Sequence, residues 1–255
     1  MKVYYYQDLL NDEFTLPPKK LQRIVGDYHY APKTRLGRVK TWMVYRLVAT
    51  PIAYLYTSVI RRIRFINQQA LRPYRKNGYF IYANHTHAQA DAFSPHVVLF
   101  PKKNFTIVNA SNVSLPVLGN ATKMLGALPL PEDLQSSKNF IRTLEMRIQD
   151  GHSILIYPEA HVWPYYTKIR PFTNNSFKYP AKLEVPVFTF TTTYQTRRFG
   201  GMKTVIYVDG PFLSPSGLDQ KDRQNYLHQQ VYTIMSKRAQ LSTYEKIKYQ
   251  PKESL

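Results

Sequence analysis

The sequence predicts an α/β fold with a mainly parallel central sheet flanked by helices, preceded by a membrane-associating helical segment. Three observations predict it. Short runs rich in β-branched and aromatic residues recur from residue 78 onward, helix-like stretches separate them, and a basic, apolar segment precedes them all. Strands alternating with helices are the pattern of a parallel sheet whose crossovers cover its faces. A chain of 255 residues suits one such unit and is long enough to bury a sizeable core.

Residues 1–34 read as an irregular arm, broken by LPPKK and YAPK. Its opening, MKVYYYQDLLNDEF, has no apolar core of signal-peptide length and carries acids early, so no secretory signal is expected. Residues 35–64, RLGRVKTWMVYRLVATPIAYLYTSVIRRIR, are apolar in the middle and basic on both flanks. Leu47 to Ile60 gives fourteen uncharged residues, short of the roughly 20 that cross a bilayer. Arg46 and Pro51 interrupt the stretch. One or two helices lying in the membrane interface are therefore expected, with a buried core helix as the alternative. Arm and helices together make up residues 1–77, and residues 78–255 form the single globular unit.

Within that unit GYFIYA, NFTIVN, SILIYP, PVFTFTTT and KTVIYVDG read as strands, short β-branched or aromatic runs ended by Asn, Pro or Gly. A helix is expected from Ser136 or Ser137, as N-cap, to Gly151, with Phe140, Leu144 and Ile148 on one face. A last long helix spans about 219–240, RRFGG at 197–201 marks a turn, and residues 242–255 form a polar tail.

Sites in such folds lie beyond the carboxyl ends of strands. ANHTHAQAD, YPEAH and TTTYQTRR occupy that position. The first raises three alternatives. His85 or His87 serves as a general base oriented by Asp91, reaching back from the first turns of a helix that starts near Ala88. Or Asp91 only neutralises the helix N-terminus. Or His85, His87, Asp91, Glu159 and His161 surround a metal ion, as in a metal-dependent hydrolase. His29, His96, His152 and His228 lack partners at useful spacing and read as structural or solvated.

Lys plus Arg number 35 against 16 Asp plus Glu, a formal charge of +19. Such a field attracts polyanions: anionic membrane surfaces, phosphate-rich cofactors, acidic carrier proteins or nucleic acid. No nucleic-acid-binding signature accompanies it, so nucleic acid is not expected, although a non-enzymatic basic membrane-surface module fits the charge alone. The absence of cysteine removes disulfides, thiol nucleophiles and thiolate metal sites, and fits a reducing compartment.

NHTHAQADAF resembles the first block of the glycerolipid (lysophosphatidate-type) acyltransferases, Asn-His, four residues, then Asp. YPEA at 157–160 is similar to their Phe-Pro-Glu-Gly block, MLGALPLP at 124–131 sits where their second block belongs, and EVPVFTF at 184–190 resembles their fourth. The resemblance covers about 78–210. It implies an O-acyltransferase of phospholipid biosynthesis in which His85 takes a proton from a lipid hydroxyl and Asp91 orients the imidazole. The acyl group would come from acyl-CoA or an acyl-carrier protein, with no other cofactor and no metal. The Pro158–Ala160 turn would supply oxyanion donors. Asn84, His87, Glu159, Ala160, Lys168 and Arg170 would bind substrate. The site would lie at the cytoplasmic face of the cell membrane, on a peripheral or monotopic protein. The chain departs from the pattern in three places. Five residues separate His85 from Asp91. The second block lacks the arginine that helps hold an acceptor phosphate. Ala160 replaces a glycine, and the nearest cations after it are Lys168 and Arg170.

Overall fold

The computed structural model describes residues 1–14, 22–114 and 118–252. The LPPKK breaker lies outside these. The chain opens with strand β1 (Lys2–Tyr6), where the sequence suggested only an irregular arm. Helix then runs without a break from Arg35 to Ile60. It consists of α1 (Arg35–Met43) and α2 (Thr50–Tyr54), each followed by a π-helical turn, Val44–Ala49 and Leu55–Ile60.

The buried positions explain the wide turns. Thr41, Tyr45, Ala49, Ala53 and Thr57 recur every fourth residue and face the domain. On a regular α-helix that stripe would drift by about 160° over four steps. Under-winding at the π turns holds it on one side. Leu36, Trp42, Leu47, Ile52, Leu55 and Ile60 face outward, so the outer surface is apolar as well. Contrary to the sequence expectation, Arg46 and Pro51 do not interrupt this helix, and by length and composition it is sufficient to cross a membrane.

Short strand β2 (Arg64–Ile66) leads to β3 (Tyr79–Ala83), α3 (Ala88–Val98), β4 (Asn104–Val108), α4 (Leu118–Met124) and β5 (Ala127–Pro129). Then follow α5 (Leu134–Gln149), β6 (Ser153–Ile156), α6 (Lys178–Leu183), β7 (Val187–Thr196), β8 (Met202–Phe212), α7 (Gln220–Ala239) and β9 (Ile247–Pro251).

The main sheet has the order β2-β8-β7-β3-β6-β4-β5. All neighbours are parallel except β7 and β8, which form a hairpin closed by RRFGG. β3 is central and wholly buried, as a strand covered on both faces must be. Its side chains alternate between two cores. Phe80 and Tyr82 join Phe140, Leu144, Leu227 and Val231, whereas Tyr79, Ile81 and Ala83 join Ile63, Leu71 and Ala90. TTTYQTRR is not a loop beyond a strand end, because β7 continues through Thr196.

α5 begins earlier than its serines suggest. Asp133 is the N-cap and accepts from Ser136 N at 2.7 Å, while the Ser136 hydroxyl accepts from Asp133 N in a reciprocal capping box. Phe140, Leu144 and Ile148 share its buried face, as their spacing predicts. Gly78 lets β3 approach this helix: a Cβ there would lie 2.1 Å from Ile148 O. The C-terminal segment is more than a tail. β9 pairs in parallel with β1, so the two ends of the chain form a second, two-stranded sheet.

Candidate active site

The site is built at the carboxyl end of β3. Asn84 follows the strand, and its side-chain amide is engaged on both sides, donating to Thr192 O at 3.0 Å and accepting from Thr192 N at 2.8 Å. Asn84 is buried and thus clamps the strand end to β7, a different task from touching substrate. Thr86 is fixed in the same way: Tyr194 Oη lies 2.9 Å from its hydroxyl and donates to its carbonyl at 3.2 Å.

Between these two anchors His85 projects with its side chain about 20 % exposed, and its Nδ1 lies 2.8 Å from Asp91 Oδ2. Asp91 sits in the first turn of α3, nearly buried, and the same oxygen accepts from His87 N at 3.0 Å. Tyr157 closes the back of the pair. Its ring stacks on the imidazole at 4.3 Å between centroids, and its hydroxyl donates to Asp91 O at 2.7 Å. Nδ1–H donated to a carboxylate leaves Nε2 with the lone pair, which is the state a proton acceptor needs.

The extra residue between His85 and Asp91 is absorbed before the helix begins. His87 is the N-cap, in extended conformation, and its Nδ1 accepts from Ala90 N at 3.3 Å. Its Nε2 lies 2.6 Å from the Arg61 guanidinium. Burial, then Arg61, hold the His87 pKa below the usual value. A neutral imidazole has one acceptor nitrogen, so His87 accepts from either Ala90 N–H or Arg61, and with both ring nitrogens facing protein donors it serves the architecture of the loop.

Glu159 is buried beneath the loop. Its carboxylate accepts from Arg170 N at 3.3 Å, lies 3.4 Å from Arg170 Nε, and interacts with the His85 backbone N–H. Burial raises its pKa, opposed by Arg170. Arg170 contradicts the expectation of a phosphate-binding cation: its side chain is 0 % exposed. It donates to Glu159 O at 3.0 Å, to Leu9 O at 3.3 Å and to His161 O, and lies over the Trp163 ring. The Glu159 and Arg170 side chains, both buried, brace the loop. Lys168 is exposed and, among the described residues, forms no ion pair.

Ala160 occupies the left-handed region at φ +63, the conformation a glycine takes without strain. Its N–H donates to Tyr157 O at 3.1 Å. Pro158 has no N–H. Of the expected Pro158–Ala160 oxyanion turn, the Glu159 N–H is therefore the donor that remains.

His161 pairs with Glu13 at 3.7 Å. Among the described residues no group of three His, Asp or Glu side chains is placed to hold a metal ion. The imagined five-residue cluster is split, with His87 turned to a cation and His161 to the N-terminal arm.

Three contributors escaped the sequence reading. Arg61, at the end of the N-terminal helix, reaches the Tyr165 hydroxyl at 3.1 Å as well as His87. Lys246 lies over the Tyr165 ring at 3.9 Å. Burial would raise the Tyr165 pKa, but Lys246 and Arg61 outweigh it and hold the phenol below its ordinary value. Among the described residues neither cation has an ion-pair partner. These residues are far apart in sequence, and only the basic flank containing Arg61 gave a signal. The small β1–β9 sheet supports this side of the site. Tyr249 stacks on Trp163 at 5.1 Å and donates to Pro164 O at 2.8 Å, while Trp163 N and Tyr165 N donate to His85 O and Thr86 O at 3.0 and 2.8 Å.

A carboxylate-held imidazole beside unpaired cations, at the carboxyl end of a parallel sheet, defines a site suited to activating a hydroxyl near an anionic group. The Acyltransferase family model matches residues 62–193, more than half of the chain, and the chain belongs to that family. Its fold is similar to the crystal structure of the 1-acyl-sn-glycerophosphate (LPA) acyltransferase PlsC from Thermotoga maritima. That match has a TM-score of 0.52 at 14 % identity and covers 81 % of this chain and 83 % of the other. No curated protein matches the chain.

Proposed function

We propose that this acyltransferase moves a fatty acyl group from an acyl thioester to the hydroxyl of a lipid acceptor at a membrane surface. The observation that carries the reading is the 2.8 Å contact between His85 Nδ1 and Asp91 Oδ2, made from a strand end and a helix start that the fold fixes independently.

His85 Nε2 takes the proton of the acceptor hydroxyl as its oxygen attacks the thioester carbon. Asp91 stabilises the imidazolium that forms. The tetrahedral oxyanion is met by the Glu159 N–H, and collapse breaks the C–S bond. The leaving thiolate takes the proton back from His85, so base and acid are one residue. Arg61, Lys246 and the Tyr165 hydroxyl, beside His87, hold the anionic part of the substrates in place of the missing second-block arginine. The donor is acyl-CoA or an acidic acyl-carrier protein, and the basic surface favours both.

The helix from Arg35 to Ile60 lies along the membrane interface at the cytoplasmic face. One side of it is packed on the domain along its length, Arg61 is tied to the site, and the other side is apolar. The test is an acyl-transfer assay with purified protein, offering labelled acyl-CoA or acyl-carrier protein to a panel of lysophospholipids and neutral lipid alcohols. Transfer to one acceptor class by the wild-type chain supports the reading. Thioester hydrolysis without transfer contradicts it.

A further inference from the structure

We propose that Arg46, Lys103 and Arg147 form a second site, binding the phosphate of an anionic phospholipid at the end of the sheet opposite His85. Lys103 and His152 directly precede β4 and β6, whereas His85 follows β3, and these three strands are parallel. The cluster therefore lies at the other edge from the candidate active site and has no part in the chemistry proposed there.

Its cations are held by aromatic faces instead of acids. Lys103 Nζ lies 4.9 Å from the Tyr45 ring centre and 5.0 Å from that of Phe105. Arg147 lies 4.6 Å from Phe105, and Arg46 lies 5.4 and 5.5 Å from Tyr45 and Phe100. Among the described residues the one carboxylate paired within the group is Asp150, 3.8 Å from Arg147.

Two buried guanidinium nitrogens of these residues have no hydrogen-bond partner, Arg46 Nη1 and Arg147 Nε. Buried donors are almost always satisfied, so two orphans among like charges mark a place for a group that accepts hydrogen bonds and carries negative charge. Burial first, then Arg147 and Arg46, push the Lys103 pKa down to about 8, so the ammonium is held partly out of water beside like charges.

The surroundings select a lipid. Arg46 sits midway along the helix whose outer face is apolar, turned inward to donate to Pro101 O. Trp42, Met43, Leu47 and Phe100 are exposed around it. A phosphate seated on the cations would leave acyl chains lying against that face. This also accounts for an arginine in the middle of an otherwise uncharged stretch.

The test uses the full chain and phosphatidylcholine vesicles with and without phosphatidylglycerol, read by flotation. Short-chain phosphatidylglycerol below its micelle concentration, short-chain phosphatidylcholine and inorganic phosphate are added in a parallel thermal melt. Lys103→Met should lose about five-fold of the preference for anionic vesicles, and Lys103→Met with Arg46→Gln more. Lys221→Met, which removes an equal charge from exposed α7, should stay near wild type. Without lipid, Lys103→Met should melt at or above the wild-type temperature, because repulsion is relieved. Short-chain phosphatidylglycerol should raise the wild-type melting temperature, and the other two additives should not. Equal losses for Lys103→Met and Lys221→Met would overturn the site as generic charge. An equal shift with inorganic phosphate would overturn the lipid assignment. A lower melting temperature with unchanged lipid preference would reduce the cluster to a cation–aromatic brace.

Discussion

At the scale of single residues the account rests on which nitrogen faces which partner. His85 donates Nδ1–H to Asp91 and keeps Nε2 free to accept, while the two nitrogens of His87 face the Ala90 N–H and Arg61, either of which its one lone pair can serve. His85→Ala should lower acyl transfer by about 10²–10⁴-fold without lowering the melting temperature. Asp91→Asn should cost activity too, because the amide no longer favours the imidazolium, and it also weakens the His87 N–H contact. His87→Ala should act differently: it removes a cap and frees Arg61, so stability falls by about 1 kcal/mol. Ala160→Gly should raise the melting temperature, gaining up to about 1 kcal/mol, since relief at φ +63 exceeds the added freedom of the unfolded chain. Thermal melts of the two variants decide both signs. The His85–Asp91 pair was legible through the resemblance of NHTHAQADAF to the acyltransferase first block, whereas strand end and helix start alone left His87, or an Asp91 that only neutralises the helix, as alternatives. Arg170 misled because a cation in a loop looks exposed, and only the folded chain shows Glu159 and Trp163 closing over it.

At the scale of elements, the strands read correctly, β3, β4, β6, β7 and β8, are runs of β-branched, aromatic or aliphatic residues that alternate with helix-like stretches. β2 and β5 are three residues long and carry too little pattern to stand out. β1 and β9 lie at opposite ends of the chain, so neither is recognisable without its partner. Their role is to hold Trp163 and Pro164 under His85. Tyr249→Ala should therefore lower kcat while leaving the His85–Asp91 contact intact, measurable by steady-state kinetics beside a crystal structure of the variant. The start of α5 was placed three or four residues late because serine and aspartate both cap helices, and here they do so jointly. Asp133→Ala should cost about 1 kcal/mol in denaturant unfolding, since it removes the cap and the contact to Gly26 N.

At the scale of the whole molecule part of the positive charge lies in partly dry places. His96 and His152 are each held down to about 4, by burial first and then by neighbouring cations. Unfolded, they would titrate near 6.5. Between these values the unfolded chain binds more protons, so stability present above about pH 6.5 is lost as the pH falls toward 4. Melting temperatures measured from pH 7.5 to 4.5 should decline across that window, and His96→Phe should flatten part of the decline. The overall charge was readable from composition, but its division between a site-side pair, Arg61 and Lys246, and a far cluster around Lys103 needed the fold. The helix from Arg35 to Ile60 illustrates the same limit. Its apolar outer face was evident, whereas the π turns that keep its inner stripe on the domain follow from packing.

The most direct test compares wild-type and His85→Ala protein in acyl transfer to a lipid hydroxyl on vesicles, with vesicle binding measured in the same samples. The account predicts that the variant binds as the wild type does and transfers almost nothing. Transfer by the variant at a rate near that of the wild type would contradict it.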